Sequence, residues 1–466
     1  MKSFVFKTAF WAVVSLLLSS CGDKNEDPIV EGSDKISVGQ ASTTSFTASL
    51  SGTFTGISKV DLALGKYGVL YCEKTDNAGS IFKSWKDGND NPDCIIFDKG
   101  TVNGESFTGT ISGLNPETEY SYCLFSQNKD KTAREISKVN VFKTTSFNPN
   151  IKTVNISDIH YIDAVASVSL DMDEKDASCC TMEILVSENE NCNEENSIIF
   201  PYNERFNGMV KVELDNLESN KTFYCRLFIK YATSSGLSGT VYGPETRFTT
   251  KDLMELAVDL GLPSGIMWAN CSMGDYSFAS SLDNSPVYYW GSSRKMVTYV
   301  SSTTGKVMKT EVDYEHIDSN GAYKYLGKEI SGTEYDVVHQ LYGGKWRMPT
   351  KTDIEELIEK CTLGNKNTLY HTHYVELYNY QDGVFRTNEM VESVEYFEVI
   401  GLNRNSIRFR TYDDSWSGTM EDDNNIYYLR CQPDPSNNYA PKMTLSLTNR
   451  RGWKSIRPVW DPNMPD

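Results

Sequence analysis

His371 and His373 stand two residues apart, so a strand puts both imidazoles on one face. Two such nitrogens are half of a zinc site, and no third ligand at suitable spacing accompanies them. A solvated strand face is the plainer reading. Asp87, Asn89, Asn91 and Asp93 alternate oxygen ligands in the manner of a calcium loop. The bidentate Glu that should close such a loop is missing, and Pro92 interrupts it. Glu421-Asp422-Asp423-Asn424-Asn425 reads as an acidic solvated turn. No metal or cofactor is expected.

Nucleophilic chemistry lacks its usual signatures as well. The chain has no Gly-x-Ser-x-Gly elbow, no Walker loop and no His-Glu-x-x-His. Its many carboxylates identify no acid–base pair. A non-enzymatic protein is the expectation. The remaining recognition chemistry is aromatic. Tyr288, Tyr289, Trp290, Trp416, Tyr427, Tyr428, Trp453 and Trp460 all lie in the C-terminal half. Strand alternation lets one member of each Tyr–Tyr pair face outward, where its ring can stack on a sugar or anchor a protein. Tyr289, Trp290, Trp416 and Tyr428 are the candidate ligand surface.

The 466 residues allow about three domains. Apolar residues at 39% and charged residues at 23% fit globular protein. Acidic side chains number 63 against 45 basic, a net charge of −18. Phosphate backbones need Lys and Arg, so a nucleic-acid partner is excluded as an expectation. Anionic lipid surfaces should repel the chain too.

Lys2 and Lys7, the short apolar run Ala9–Leu18 and Leu18-Ser19-Ser20-Cys21 make residues 1–20 a secretory signal peptide. The apolar stretch is too short for a spanning helix. Its end resembles a lipobox, the bacterial lipoprotein signal of a Leu, two small residues and a Cys. That resemblance implies cleavage before Cys21 and acylation of its sulfur. Several acyl chains on one residue anchor firmly, because each buried CH₂ contributes about 0.8 kcal/mol. Residues 21–35 are charged and poor in apolar side chains, as a flexible tether would be. Acidic residues just after the Cys resemble the export tag of surface lipoproteins in Bacteroidota. The implied location is the outer membrane, lipid-anchored and cell-surface exposed.

Ten cysteines remain: Cys72, Cys94 and Cys123, then Cys179, Cys180, Cys192 and Cys225, then Cys271, Cys361 and Cys431. Two groups are odd, which argues for several buried thiols rather than a full disulfide framework. Cys271 with Cys361 is the most plausible bond.

Residues 36–146 and 150–250 carry an internal repeat. Leu114-Asn115-Pro116-Glu117-Thr118-Glu119-Tyr120 leads to Tyr122, Leu124 and Phe142-Lys143-Thr144-Thr145. Leu217-Glu218-Ser219-Asn220-Lys221-Thr222-Phe223 leads to Cys225, Leu227 and Phe248-Thr249-Thr250. Period-2 spacing puts Tyr120, Tyr122 and Leu124 on one strand face, and Phe223, Cys225, Leu227 and Ile229 on another. Glu119, Ser121, Arg226 and Lys230 should point outward. The pattern resembles fibronectin type III domains, with the first copy nearer the motif. It implies two immunoglobulin-like sandwiches acting as spacers.

Past Lys251 the chain changes character. It carries Asp259-Leu260-Gly261-Leu262-Pro263-Ser264-Gly265, Trp268-Ala269, Trp290-Gly291 and Gly343-Gly344-Lys345-Trp346-Arg347-Met348-Pro349-Thr350, and closes on Arg457-Pro458-Val459. Thr350, with Asp353 three residues on, caps a helix with stripe Ile354, Leu357, Ile358 and Cys361, and Gly364 is its expected end. These segments resemble the Fibrobacter succinogenes major paralogous (FISUMP) domain over 253–462. The resemblance implies an α+β C-type-lectin-like fold with variable insertions at 293–334 and 362–400. The sugar–calcium motifs of true C-type lectins are absent. The expected fold class is therefore mainly β: two sandwiches, then the lectin-like domain. The expected function is display of a lectin-like domain on a β-sandwich stalk, for adhesion or for binding a glycan or protein ligand. A structural subunit of a fimbrial or other surface assembly is the alternative. No ligand can be named from these residues.

Overall fold

The computed structural model describes residues 30–85, 94–131, 134–275, 286–292, 297–300, 307–310, 324–379, 384–450 and 452–465. Cys21, residues 22–29 of the expected tether and Asp87–Asp93 lie outside the described residues, whereas the tether's last residues are structured: Val30–Glu31 pairs parallel with Glu135–Ile136, and Lys35 meets Glu135 at 2.7 Å. Strands dominate, nearly all in antiparallel sheets.

The repeat folds as two sandwiches with one strand order. In the first, Ile36–Val38, Thr47–Phe54, Ser106–Ser112 and Thr101–Asn103 form one sheet. Arg134–Ile136, Glu119–Gln127, Lys66–Glu73 and Ile95–Phe97 form the other. In the second, Asn155–Ser157, Ala164–Asp171 and Met209–Leu214 face Ile198–Pro201, Cys180–Ser187, Thr222–Ala232 and Ser238–Tyr242. Alternation fills each interior as expected: Tyr120, Tyr122 and Leu124 join one core, and Phe223, Cys225, Leu227 and Ile229 the other. The corner Leu residues, Leu114 and Leu217, are both buried. In the first copy the Tyr120 hydroxyl accepts the Asn115 backbone N–H at 2.8 Å, tying the corner to the strand that follows.

The outer face departs from expectation in the first copy. Ser121 is buried, and Cys123 and Phe125 belong to a second core. Helix α1, Lys59–Leu64, precedes the strand Lys66–Glu73, and helix α2, Ala78–Ser84, follows it. Phe82 of α2 and the adjacent Trp85 cover that outer face. Alternation predicts which residues share a face, and it is silent on whether a helix later covers the opposite one.

The two sandwiches are joined by polar bonds and rings. Helix α3, Glu174–Ala177, carries Asp176, which is buried. Its carboxylate accepts the backbone N–H groups of Ser45 at 3.0 Å and Phe46 at 2.9 Å, and the Thr44 hydroxyl at 2.5 Å. Phe46, Phe147 and Tyr231 pack mutually with ring centroids 4.7–5.1 Å apart. Asp176→Ala would orphan two buried donors, at about 1–3 kcal/mol each. The expected result is a lower melting temperature with a larger radius of gyration by X-ray scattering, and Asp176→Asn should fall between.

Three separated motif segments build one sheet in the C-terminal unit. Trp268 pairs with Val459, and Trp460 pairs with both Met267 and Trp346. The start, middle and end of the unit thus hydrogen-bond side by side. Helix α4, Val337–Tyr342, is capped by Asp336, and helix α5, Lys351–Lys360, carries the predicted capping box between Thr350 and Asp353. Helix α5 stops at Cys361, three residues before the expected Gly364, which lies in the strand Thr362–Asn379. The segment 362–400 is a hairpin of two long strands, Thr362–Asn379 and Val384–Ile400. A third strand, Ser406–Arg410, pairs only with residues 396–400.

Candidate functional site

Two chain segments 164 positions apart set the aromatic surface. Tyr288–Tyr289 pairs antiparallel with Trp453–Lys454, so Tyr288 opposes Lys454 and Tyr289 opposes Trp453. Alternation sends Tyr288 into the core. Tyr289 is half-buried and Trp453 is 40% exposed, and their rings meet edge to face with centroids 6.4 Å apart. Such a pair offers an aromatic face beside an aromatic edge.

Trp290, Trp416 and Tyr428 are core residues, which corrects three of the four expected surface positions. The Trp290 indole N–H donates to the Ser417 carbonyl at 2.9 Å, and the Trp416 indole N–H donates to the Tyr288 carbonyl at 2.9 Å. Buried indoles with satisfied donors have nothing left to offer a ligand. Tyr428 packs edge to face on Trp416. Its strand neighbour Tyr427 is the outward member, donating to the Glu421 carboxylate and accepting from Lys351 Nζ at 3.3 Å. That bond to Glu421, foremost, holds the Tyr427 hydroxyl above its ordinary pKa.

A polar row follows Trp453 in the chain, and Lys454, opposite Tyr288, turns to the inward face. Lys454 Nζ lies 3.9 Å from the Tyr428 ring centroid and 2.9 Å from the Asp414 carboxylate. Asp414 also faces Arg430, at 3.5 Å. Ser455 donates to Asp413 at 2.9 Å, and Arg457 sits 3.5 Å from the same carboxylate. Lys454, Ser455 and Arg457 are largely buried and already paired, so the row braces the strand from its inward side and leaves the aromatic pair as the surface a ligand can meet.

A second concavity of about 380 Å³ lies where the middle sandwich meets the C-terminal unit. Asp163, Asp215 and Asn216 line one side, and Met273, Tyr288 and Leu341 the other. Sequence reasoning missed it, since no local pattern reports the meeting of two units.

Both metal candidates, the His371–His373 pair through its side chains and Asp87–Asp93 entirely, lie outside the described residues. His371 and His373 occupy alternate positions of one strand, opposite Glu392 and Met390. Among the described residues no group of three ligating side chains converges. The Asp422 carboxylate accepts the backbone N–H groups of Asn424 and Asn425 and the Asn425 amide. Those bonds, the Asn425 amide first, hold Asp422 below its ordinary pKa and account for the acidic turn.

The expected Cys271–Cys361 bond is not formed. Cys271 is buried beside Trp290 and Trp416 in one core cluster, whereas Cys361 packs at the end of helix α5 against another. Burial pushes the Cys271 thiol up to about 12 and the Cys361 thiol up to about 11, so both are protonated at neutral pH.

No protein-family model and no curated protein matches the chain. Among solved structures, it is similar to the chicken CNTN1 FN1–FN3 domains at 15% identity and a TM-score of 0.20, covering 49% of this chain and 66% of that one. The chain is mainly β by its own strand topology.

Proposed function

We propose that this chain is a lipid-anchored protein of the outer-membrane surface, acylated on Cys21, that displays a C-type-lectin-like domain of FISUMP type on two fibronectin type III-like sandwiches. Its ligand is a glycan or a protein, met at the Tyr289–Trp453 edge. The observation that carries the reading is this cross-strand pair at the surface, backed by buried Trp290, Trp416 and Tyr428. Aromatic anchors on a rigid base bind with little ordering cost.

Glycan-array binding by the full chain tests it. Trp453→Ala should weaken any captured glycan about tenfold, roughly 1.4 kcal/mol, with unchanged circular dichroism. Equal binding by the variant would remove the site from this edge. Fatty-acid labelling tests the anchor: wild type should take up label and Cys21→Ser should not.

The ribbon Thr362–Ile400 favours a second reading, a subunit of a surface assembly. Two-stranded ribbons are marginal alone, and a neighbouring chain along its edge would complete a sheet. Isolation of a stable stoichiometric assembly from the cell surface would favour it over display.

A further inference from the structure

Strand Lys66–Glu73 pairs antiparallel with Ile95–Phe97 in the register Val69 with Phe97, Leu70 with Ile96, and Tyr71 with Ile95. Continued by one residue, the register sets Cys72 opposite Cys94. Directly opposed residues of an antiparallel pair have Cα atoms about 4.5–5.5 Å apart. A disulfide spans about 4.4–6.8 Å between Cα atoms. The continued register would bring the pair within that span.

Burial agrees with the register. Cys72 and Cys94 are 8% and 7% exposed and belong to one small core with Ala78, Phe82 and Trp85. A third thiol, Cys123, shares that core, but Leu70 is its opposite number, while Ser121 opposes Cys72. Cys123 is thus diagonal to Cys72, at about 7–8 Å between Cα atoms, beyond disulfide reach.

We propose that Cys72 and Cys94 are an oxidisable pair that forms a cross-strand disulfide in an oxidising compartment, with Cys123 remaining a thiol. Thiol–disulfide exchange balances the step. One cysteine thiolate attacks a small-molecule or protein disulfide and releases one thiol; the second cysteine then displaces the other thiol and closes the Cys72–Cys94 bond. The two protons lost by the cysteines end on the released thiols. Burial, with Cys72 nearby as a lesser cause, pushes the Cys94 thiol up to about 12. The buried Cys94 thiol is therefore slow to react in the folded chain, and the bond forms while the chain folds or opens locally.

The closed loop would contain helix α2 and Trp85, the elements that cover the outer face of the first sandwich. The bond would hold this cover in place independently of any lipid anchor or ligand.

The full chain, refolded with oxidised glutathione, quenched in acid and alkylated under denaturing conditions, tests the proposal by peptide mass spectrometry. The expected product is a Cys72–Cys94 linked peptide lighter by two hydrogens than its reduced parts, with Cys123 alkylated. Refolded Cys123→Ser should keep the link, and Cys94→Ser should leave Cys72 alkylated. Complete alkylation of both Cys72 and Cys94 in the oxidised wild type, or a Cys72–Cys123 link, would overturn it.

Discussion

Trp416→Ala is expected to destabilise the C-terminal unit by about 3–5 kcal/mol, the range for removing a large buried aromatic side chain. The ring is fully buried and is flanked by Tyr428, with the Lys454 ammonium 5.6 Å from its centroid. Truncation also leaves the Tyr288 carbonyl without its indole donor. That carbonyl sits in the strand that presents Tyr289, so the exposed edge should loosen together with the core. Total stabilities of about 5–15 kcal/mol make such a loss a large fraction of the whole. Urea unfolding followed by far-ultraviolet circular dichroism measures it. Trp453→Ala, on the exposed side, should shift the same curve by less than about 1 kcal/mol. Equal midpoints for the two variants would refute the division into core and surface.

Arg347→Ala should cost about 3–5 kcal/mol, because it leaves the buried Asp353 carboxylate and the partly buried Asp461 carboxylate without their cation. Arg347 is 6% exposed and sits 2.6 Å from Asp353 and 2.9 Å from Asp461. It also donates to the Met348 carbonyl at 3.0 Å. Burial works against its charge, but the two carboxylates more than offset this and hold its pKa above the ordinary arginine value. Asp353 serves two roles, since the same carboxylate closes the capping box of helix α5. One guanidinium therefore links the start of that helix to the last strand of the unit. Arg347→Lys should recover little, because an ammonium cannot reproduce the planar fork that reaches both acids. Thermal unfolding of the three proteins checks the order wild type, Lys, Ala. A lysine variant as stable as wild type would mean that charge alone suffices.

Much of the local architecture was legible. Period-2 spacing identified the inward faces around Tyr120 and Phe223, and Thr350 with Asp353 announced the start of helix α5. The end of that helix was not legible. Gly364 carried the expected C-terminal signal, yet Cys361 is extended because the chain enters a long hairpin there. The site was half legible for a similar reason. Alternation required one Tyr of each pair to face outward, and Tyr288 and Tyr289 divide accordingly. It could not say which of Tyr427 and Tyr428 faces in, because the answer depends on which side of their sheet Trp416 occupies.

By itself the sequence determined the periodicities, the helix cap, the repeat and the acidic charge, all of which follow from neighbours a few residues apart. Only the tertiary structure decided that Trp290 and Trp416 are core while Trp453 is surface, that Asp176 bridges two sandwiches, and that Cys72 and Cys94 share one small core. Each of those depends on pairing between segments far apart in the chain, and side-chain chemistry alone does not encode that register.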